Sequence, residues 1–404
     1  MNNIFVKGHT SFIGQTGYNA HARDFFTALS YKIDLKIRNF TVGKTWKGLG
    51  TKNLNGRYND PHVNEQYLSE YQRKLICEQT LYCDENTPGR YGANICDYEI
   101  NDGEYKKYSE NETINIILSE TDHHYFHCLE KYKGIKIAYN VWESTRYDDK
   151  FFELLKKYDQ FWCPSEWQKQ CIINQGYPTN KIFVVPEAVD GNIFNPEIYP
   201  ECYTDNRFKF LIFGRWEYRK ATQEIIDTFL KTFKKNEPVD LMISVENEYS
   251  LDGFKNTSDR LNHFNLKDDR IKNIHFTQRS DYIKYLKMGH VFLSCSRSEG
   301  WNLPLIEAMA CGTPSIYSNY SGQLEFTKGK GHPVKVLGEV PVPNGVGNYI
   351  EPDFNDLSKV MRDVYTNYWK YRKNALKDSE IIRSEFSWEN SANKAIKIIN
   401  NIYK

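Results

Sequence analysis

The sequence contains no long apolar run. Nowhere in its 404 residues does a stretch approach the roughly 18 apolar residues that a membrane-spanning helix requires. The N-terminal segment MNNIFVKGHTSF also lacks the apolar core of a secretory signal peptide. We therefore expect a cytoplasmic protein with no transmembrane segment, while peripheral contact with a membrane stays open.

An excess of charge of one sign is also missing. Lys and Arg number 53 and Asp and Glu number 52, which gives a formal net charge of +1. Proteins that bind nucleic acid usually carry a basic surface that neutralises phosphates. The balance argues against a nucleic-acid partner, although a local basic patch would escape this count.

Closely spaced cysteine pairs are absent as well. The nine cysteines form no Cys-x-x-Cys pair, and several lie within apolar patterns, among them Cys163, Cys295 and Cys311. This usage predicts reduced, buried thiols rather than a disulfide framework. The length suffices for two domains of about 200 residues each, and the well-separated apolar runs predict a globular α/β protein.

The segment Ser294 to Ser315 has the pattern of a strand, a loop, a helix and a second strand. The apolar run His290 to Cys295 predicts a buried strand, and Ser315 begins the next one. Between them, Pro304 suits the first turn of a helix and Gly312 suits its end, with Asn302 as the expected N-cap. Because a helix N-terminus presents free N–H groups and a partial positive charge, this pattern predicts a phosphate site.

Two carboxylates flank this predicted helix N-terminus. Glu299 lies in the loop and Glu307 about one turn inside the helix. Acids near a helix N-terminus are commonly simple partners of the helix dipole. The alternative is that both accept hydrogen bonds from hydroxyls at two ends of one ligand whose diphosphate lies between them.

A second charged motif follows a predicted strand, Phe208 to Phe213. Gly214 would let the backbone pass close to a ligand, and Arg215 can bind two phosphate oxygens at once. Lys220 adds a compact charge at the start of the next helix. We expect the neighbouring Arg219 to be a solvated charge.

The segment EGWNLPLIEAMACGTP, which starts at Glu299, closely resembles the E-x7-E motif of family 4 retaining glycosyltransferases, which have the GT-B fold. The patterns D-x-x-W-x-P-S from Asp159 and V-V-P-x-x-V-D-x-x-x-F from Val184 resemble that family's inter-domain region. One departure is Asn302, where the family usually has glycine.

The resemblance implies two Rossmann-like domains that face each other across a cleft. We place the acceptor-side domain at residues 1–192, a linker at 193–206 and the donor-binding domain at 207–387, with the last helix, 388–404, crossing back to the first domain. A retaining, metal-independent transfer of a hexosyl or related group to a saccharide or other hydroxyl acceptor is implied. The donor would be a UDP- or GDP-sugar bound as substrate, with no resident cofactor, and the oligomeric state is left open.

The same resemblance assigns roles to individual residues. Glu299 would contact the donor sugar, Glu307 the ribose, and Arg215 and Lys220 the diphosphate. The remaining donor-binding candidates lie in the glycine-containing loops and at the helix entrance: Gly14, Gly17, Gly214, Gly300, Trp301, Asn302 and Leu303.

The N-terminal half begins with a strand from Ile4, a loop from Gly8 to Gly17, a helix from Tyr18 to Ser30 and a strand from Ile33 to Phe40. The irregular segment from Thr41 to Glu112, with one predicted helix around Glu65 to Leu81, is either an acceptor-recognition region or a surface elaboration.

Glu143 follows a predicted strand, Ile135 to Ser144, where ligands bind in open α/β sheets. One interpretation is that Glu143 is an acid/base or acceptor-orienting group, which would make it catalytic together with Arg215, Lys220 and Glu299. The other is that it is a salt-bridge partner at the cleft. Spacings of four residues among His123, His124, His127 and Cys128 could hold a metal, but no second ligand cluster accompanies them; one of these histidines could instead line the cleft. Ser165 and Gln168 predict a capping box.

Two other functions remain as alternatives. One is a glycosyltransferase that modifies nucleic-acid bases, of the kind some phages use, and the near-neutral charge argues against it. The other is a GT-B-like protein that binds nucleotide sugars without catalysis, and the complete set of charged motif residues argues against that.

Overall fold

The computed structural model describes residues 4–12, 16–42, 68–83, 94–99, 109–119, 126, 129, 132–197, 206–247, 252–276 and 279–402. Gly14 and the four metal-ligand candidates His123, His124, His127 and Cys128 lie outside these residues, as does much of the segment Thr41 to Glu112.

The first half of the chain forms an eight-stranded sheet with the order β4-β3-β2-β1-β5-β6-β7-β8. All neighbouring strands are parallel except the β3–β4 pair. The strands are β1 (Phe5–Thr10), β2 (Asp34–Val42), β3 (Ile76–Cys83), β4 (Asn94–Glu99), β5 (Thr113–Leu118), β6 (Ile135–Tyr139), β7 (Gln160–Cys163) and β8 (Ile182–Val184). Every residue of β1 and β5 is buried, as expected of central strands with both faces covered.

Helices cover this sheet, among them α1. Thr16 caps its N-terminus in a capping box with Asn19, and Phe25 and Phe26 bury its apolar face. The helices of the first half are α1 (Gly17–Ser30), α2 (Glu70–Leu75), α3 (Asp149–Leu155) and α4 (Glu166–Asn174).

The second half forms a six-stranded parallel sheet with the order β11-β10-β9-β12-β13-β14, followed by an antiparallel hairpin of β15 and β16. The strands are β9 (Phe208–Phe213), β10 (Val239–Ser244), β11 (Ile271–Asn273), β12 (Val291–Ser294), β13 (Ser315–Ser318), β14 (His332–Val334), β15 (Val336–Pro341) and β16 (Asn348–Pro352). The helices are α5 (Thr222–Thr232), α6 (Thr257–His263), α7 (Arg279–Met288), α8 (Leu303–Ala310), α9 (Leu324–Thr327), α10 (Phe354–Thr366), α11 (Tyr368–Glu385) and α12 (Trp388–Ile402).

The last helix, α12, returns to the first sheet. Its buried residues Trp388, Ala392, Ala395 and Ile399 belong to the same core as the apolar face of α1. The Trp388 ring stacks on that of His21 in α1, with 5.6 Å between ring centroids. The end of the chain therefore helps to hold the two halves together.

Three sequence predictions about local structure were wrong. Of the helix predicted around Glu65 to Leu81, the described residues 68–81 form α2 and then β3, because pairing with β2 and β4 satisfies the backbone of that strand. The strand predicted to reach Ser144 ends at Tyr139. The Ser165 side chain does cap α4 by accepting from the backbone N–H of Gln168. The Gln168 side chain, however, does not complete a capping box.

The Gln168 side chain instead braces the segment that leads to Glu143. Its Oε1 accepts from the Trp142 amide at 3.1 Å, and its Nε2 donates to Asn140 O and Tyr147 Oη, both at 2.9 Å.

Among the residues placed in the structure, no helix has the length and apolarity to cross a bilayer.

Candidate functional site

The helix α8 begins where the sequence predicted, at the carboxyl end of β12. Pro304 lies in its first turn and Gly312 takes a left-handed φ of 68° just after its end. Asn302 occupies the N-cap position with a left-handed φ of 88°, the conformation that favours the glycine of the resembling family. Its side chain does not cap the helix; its Nδ2 donates to Ser294 Oγ and Gln323 Oε1, at 2.8 and 2.7 Å.

Glu299 is a buried carboxylate held between two cations. Only 3% of the residue is exposed. Lys220 Nζ donates to Oε1 at 2.6 Å and Arg219 Nη1 to Oε2 at 2.9 Å. Burial alone would raise the pKa of Glu299, but the charges of Lys220 and Arg219 outweigh it and lower the pKa to about 2. Glu299 is therefore ionised across the physiological range.

Arg219 is not the solvated charge that the sequence predicted. Its side chain is only 15% exposed. Besides Glu299 it donates to Ser298 O at 3.0 Å and to Glu217 Oε1 at 2.7 Å, and its Nη2 lies 3.3 Å from Glu143 Oε1. A planar guanidinium has donors in several directions, so one side chain can join carboxylates from both halves of the chain.

Glu143 reaches this cluster from the first half. Its side chain is 32% exposed and forms the ion pair with Arg219. Burial raises the pKa of Glu143; Arg219 opposes this change, and the neighbouring Glu299 and Glu217 add to it. The salt bridge at the cleft is thus present, and the acid/base or acceptor-orienting role of Glu143 stays a prediction.

Glu307 lies inside α8, one turn after the helix begins. It is buried and accepts a hydrogen bond from Tyr282 Oη of α7. Burial raises the pKa of Glu307 to about 7, against the opposing effects of Arg279 and Tyr282. On the same helix, Arg279 Nη2 lies 3.8 Å from Asp24 Oδ2 of α1, a second ion pair between the halves.

The two halves make close contact at Gly300. A Cβ on Gly300 would lie 2.4 Å from Val141 Cγ1 and 2.8 Å from Trp142 O in the first half. A Cβ on Gly322 would lie 1.9 Å from Gly300 O. The loop therefore lies against the backbone of both Trp142 and Gly322, with no space for a side chain at Gly300.

The other predicted donor-binding residues lie in different surroundings. Gly17 starts α1 with its Cβ position 4.0 Å from Leu303 Cδ1, so the two helix entrances face each other. Gly214 and Arg215 are exposed at the carboxyl end of β9, where Arg215 O accepts from Thr222 Oγ1. Trp301 is buried against Phe326 and Phe386 and thus packs in the core of the second half.

Sequence reasoning missed two groups in the cleft. One is Arg219, whose partner Glu299 lies 80 residues away, so no local pattern could show the pair. The other is Glu187, which is buried with Oε2 3.6 Å from Nδ1 of the buried His21. Burial raises the pKa of Glu187 well above its usual value, and the nearby Glu143, Glu307 and Glu299 raise it further. His21 has its pKa lowered to about 3 by burial.

Comparison with solved structures identifies the fold. The chain superposes on HepE from Anabaena, solved in complex with UDP and glucose, with a TM-score of 0.70 over 98% of this chain and 100% of that one. The sequences are 12% identical, so this similarity establishes the fold alone. The fold is GT-B, as predicted: two Rossmann-like halves with parallel sheets.

The family model described as "Glycosyl transferases group 1" matches residues 203–340, which include both charged motifs. The chain is 19% identical over 222 residues to the gpi3 subunit of phosphatidylinositol N-acetylglucosaminyltransferase from Schizosaccharomyces pombe, covering 55% of this chain and 44% of that protein. It is 24% identical over 225 residues to a probable sucrose-phosphate synthase from Thermosipho melanesiensis, covering 54% and 47%. The chain thus spans less than half the length of these curated relatives.

Proposed function

We propose that the chain is a retaining, metal-independent glycosyltransferase that moves a hexosyl or related group from a nucleoside-diphosphate sugar to a saccharide or other hydroxyl acceptor. The observation that carries this proposal is the placement of Glu299. It lies between the carboxyl end of β9 and the entrance of α8, ionised, with Lys220 and Arg219 on its two oxygens. The GT-B fold and the matching family model support it.

The donor's diphosphate fits the entrance of α8. There the helix dipole, Arg215 and Lys220 would stabilise the negative charge that develops on the departing phosphate. Once the donor is bound, these groups are in position before the C1–O bond breaks, so they stabilise the developing charge without further rearrangement. These groups take the place of a divalent cation, and the proposal therefore includes no metal and no resident cofactor.

The carboxylates hold the two ends of the donor. Glu299 would accept hydrogen bonds from the sugar hydroxyls, since each ionised oxygen can accept more than one hydrogen bond. Glu307 would accept from the ribose. The C1–O bond to the phosphate breaks as the acceptor oxygen bonds to C1 on the same face, and the proton of the acceptor hydroxyl passes to the departing phosphate oxygen. Glu143, reaching in from the first half, would orient the acceptor hydroxyl. In this proposal residues 1–192 carry the acceptor and residues 207–387 the donor, joined by 193–206.

The experiment is a donor screen. The protein is incubated with UDP-, GDP- and ADP-sugars, with and without EDTA, and the release of free nucleoside diphosphate is measured. We expect slow release from one donor with no effect of EDTA, and a transferred sugar whose anomeric configuration, read by NMR, matches the donor. Loss of release in EDTA would contradict metal independence. No release from any donor, together with no thermal stabilisation, would contradict the transferase proposal itself.

A further inference from the structure

Lys220 has two partners in the proposed site, Glu299 and the donor diphosphate. Its ammonium group donates to Glu299 at 2.6 Å. Its Cε lies 3.9 Å from the Cβ position of Gly214, so the side chain runs beside the turn that also carries Arg215. The proposed role of Lys220 is to bind the diphosphate, which requires the ammonium to turn away from Glu299. A flexible four-carbon stem with one terminal charge permits such a movement.

Turning Lys220 away would ordinarily be costly. Glu299 is 3% exposed, and a buried charge that loses its partner is strongly destabilised. The movement is energetically feasible only if another cation continues to compensate the negative charge of Glu299. Among the described residues, Arg219 is the second cation within hydrogen-bond distance of that carboxylate.

Arg219 is held in place by several hydrogen bonds. Its guanidinium is held by Ser298 O and Glu217 as well as by Glu299. Its own carbonyl oxygen accepts from the Arg297 amide at 2.7 Å. Arg297 is buried in turn, with its guanidinium bound to Glu351 and 3.8 Å from the centre of the Tyr218 ring. These contacts from the second half hold both the backbone and the guanidinium of Arg219, in addition to its 3.3 Å ion pair with Glu143 of the first half.

We propose that Arg219 is a positioning residue that keeps Glu299 ionised and in place while Lys220 moves to the diphosphate. The inference rests on the proposed function, because it needs a diphosphate in the cleft. It assigns different tasks to two adjacent cations: Arg219 stays on Glu299, and Lys220 exchanges between Glu299 and the ligand. Arg219 itself need not touch the nucleotide.

This division of tasks has a measurable consequence. Without Arg219, Lys220 becomes the main counter-ion of Glu299 and is retained there, so diphosphate affinity should fall by about 10- to 100-fold, the range for a lost charge-assisted hydrogen bond. If Glu299 is also made neutral, Lys220 is released and Arg219 no longer matters. The effect of Arg219 should therefore depend on the charge of residue 299.

The test is a double-mutant cycle on nucleoside diphosphate binding. Binding of UDP, GDP and ADP is measured by calorimetry for the wild type, Arg219→Gln, Glu299→Gln and the double variant. We expect Arg219→Gln to weaken binding strongly in the wild-type background and by less than about threefold in the Glu299→Gln background. Arg219→Lys, which keeps the charge without the planar fork, should lie between.

Two outcomes would overturn the proposal in distinguishable ways. Equal losses from Arg219→Gln in both backgrounds would show that Arg219 contacts the ligand or only supports the fold, and would leave the transferase proposal intact. A wild type that binds none of the three nucleotides would refute the proposed function and this inference with it. Arg362→Gln is the matched control, since it removes an arginine that pairs with Glu237 in the same half but outside the cleft, and it should leave binding unchanged.

Discussion

Replacing Gly300 by alanine tests whether the two halves meet where the structure places them. The added Cβ would lie 2.4 Å from Val141 Cγ1, and rotation of that side chain could relieve this contact. It would also lie 2.8 Å from Trp142 O and 3.1 Å from Trp142 N, which are backbone atoms. The backbone of Gly322 also lies against Gly300 and donates to Glu299 O at 2.9 Å, which restrains the loop.

The Val141–Trp142 backbone must therefore move by roughly half an ångström, as in other overpacked sites. Such overpacking typically costs about 1–3 kcal/mol, and we expect the free energy of unfolding of Gly300→Ala to fall by about this amount. The same displacement would lengthen the 3.3 Å ion pair of Arg219 with Glu143, which follows directly in the chain. We also expect weaker donor turnover.

The measurement is denaturant unfolding of the full chain followed by tryptophan fluorescence. Gly17→Ala is the matched control for stability, because its Cβ would make only an ordinary 4.0 Å contact with Leu303 Cδ1, and alanine is the better helix former. We expect its stability to stay within about 1 kcal/mol of the wild type or to rise. If Gly300→Ala unfolds at the wild-type denaturant concentration, the halves do not meet at Gly300 in solution.

Three further predictions concern the cleft and the returning helix. Lys220→Ala should reduce donor turnover by about 10²–10³-fold, because the positive charge that stabilises the leaving phosphate is lost, and wild-type turnover would refute that role. Glu307→Gln should change the pH dependence of stability. The pKa of Glu307 is raised to about 7 in the folded protein, above its value in the unfolded chain. Protonated Glu307 therefore contributes to the free energy of unfolding fully below about pH 4.5, and this contribution is lost as pH rises through 7. Urea unfolding should therefore show the Gln variant gaining on the wild type by up to about 3 kcal/mol between pH 5 and pH 8, and a constant difference would contradict the shift. Trp388→Ala should lower the free energy of unfolding by about 3–5 kcal/mol, since a buried ring that stacks on His21 is removed, and a loss below about 1 kcal/mol in the same assay would show that α12 does not pack there.

The sequence by itself determined the strand, loop and helix around the candidate site, because these depend on interactions between neighbouring residues. The apolar run before Glu299, Pro304 in the first turn of α8 and Gly312 after its end all act through neighbouring residues, and the structure has the predicted strand, loop and helix. The strand from Phe208 to Phe213 was predictable for the same reason. The fold class followed from the alternation of such elements together with the resemblance to GT-B enzymes, and the superposition confirms it.

What the side chains contact was decided by the tertiary structure. Arg219 and Glu299 are 80 residues apart, and Glu143 comes from the other half of the chain, so only folding brings these charges within hydrogen-bonding or ion-pairing distance. Gln168 and Asn302 stand at capping positions but use their amides on partners elsewhere in the chain. A local pattern specifies backbone geometry, because that depends on adjacent residues. A polar side chain bonds to whichever buried partner needs it, and that depends on where distant segments pack.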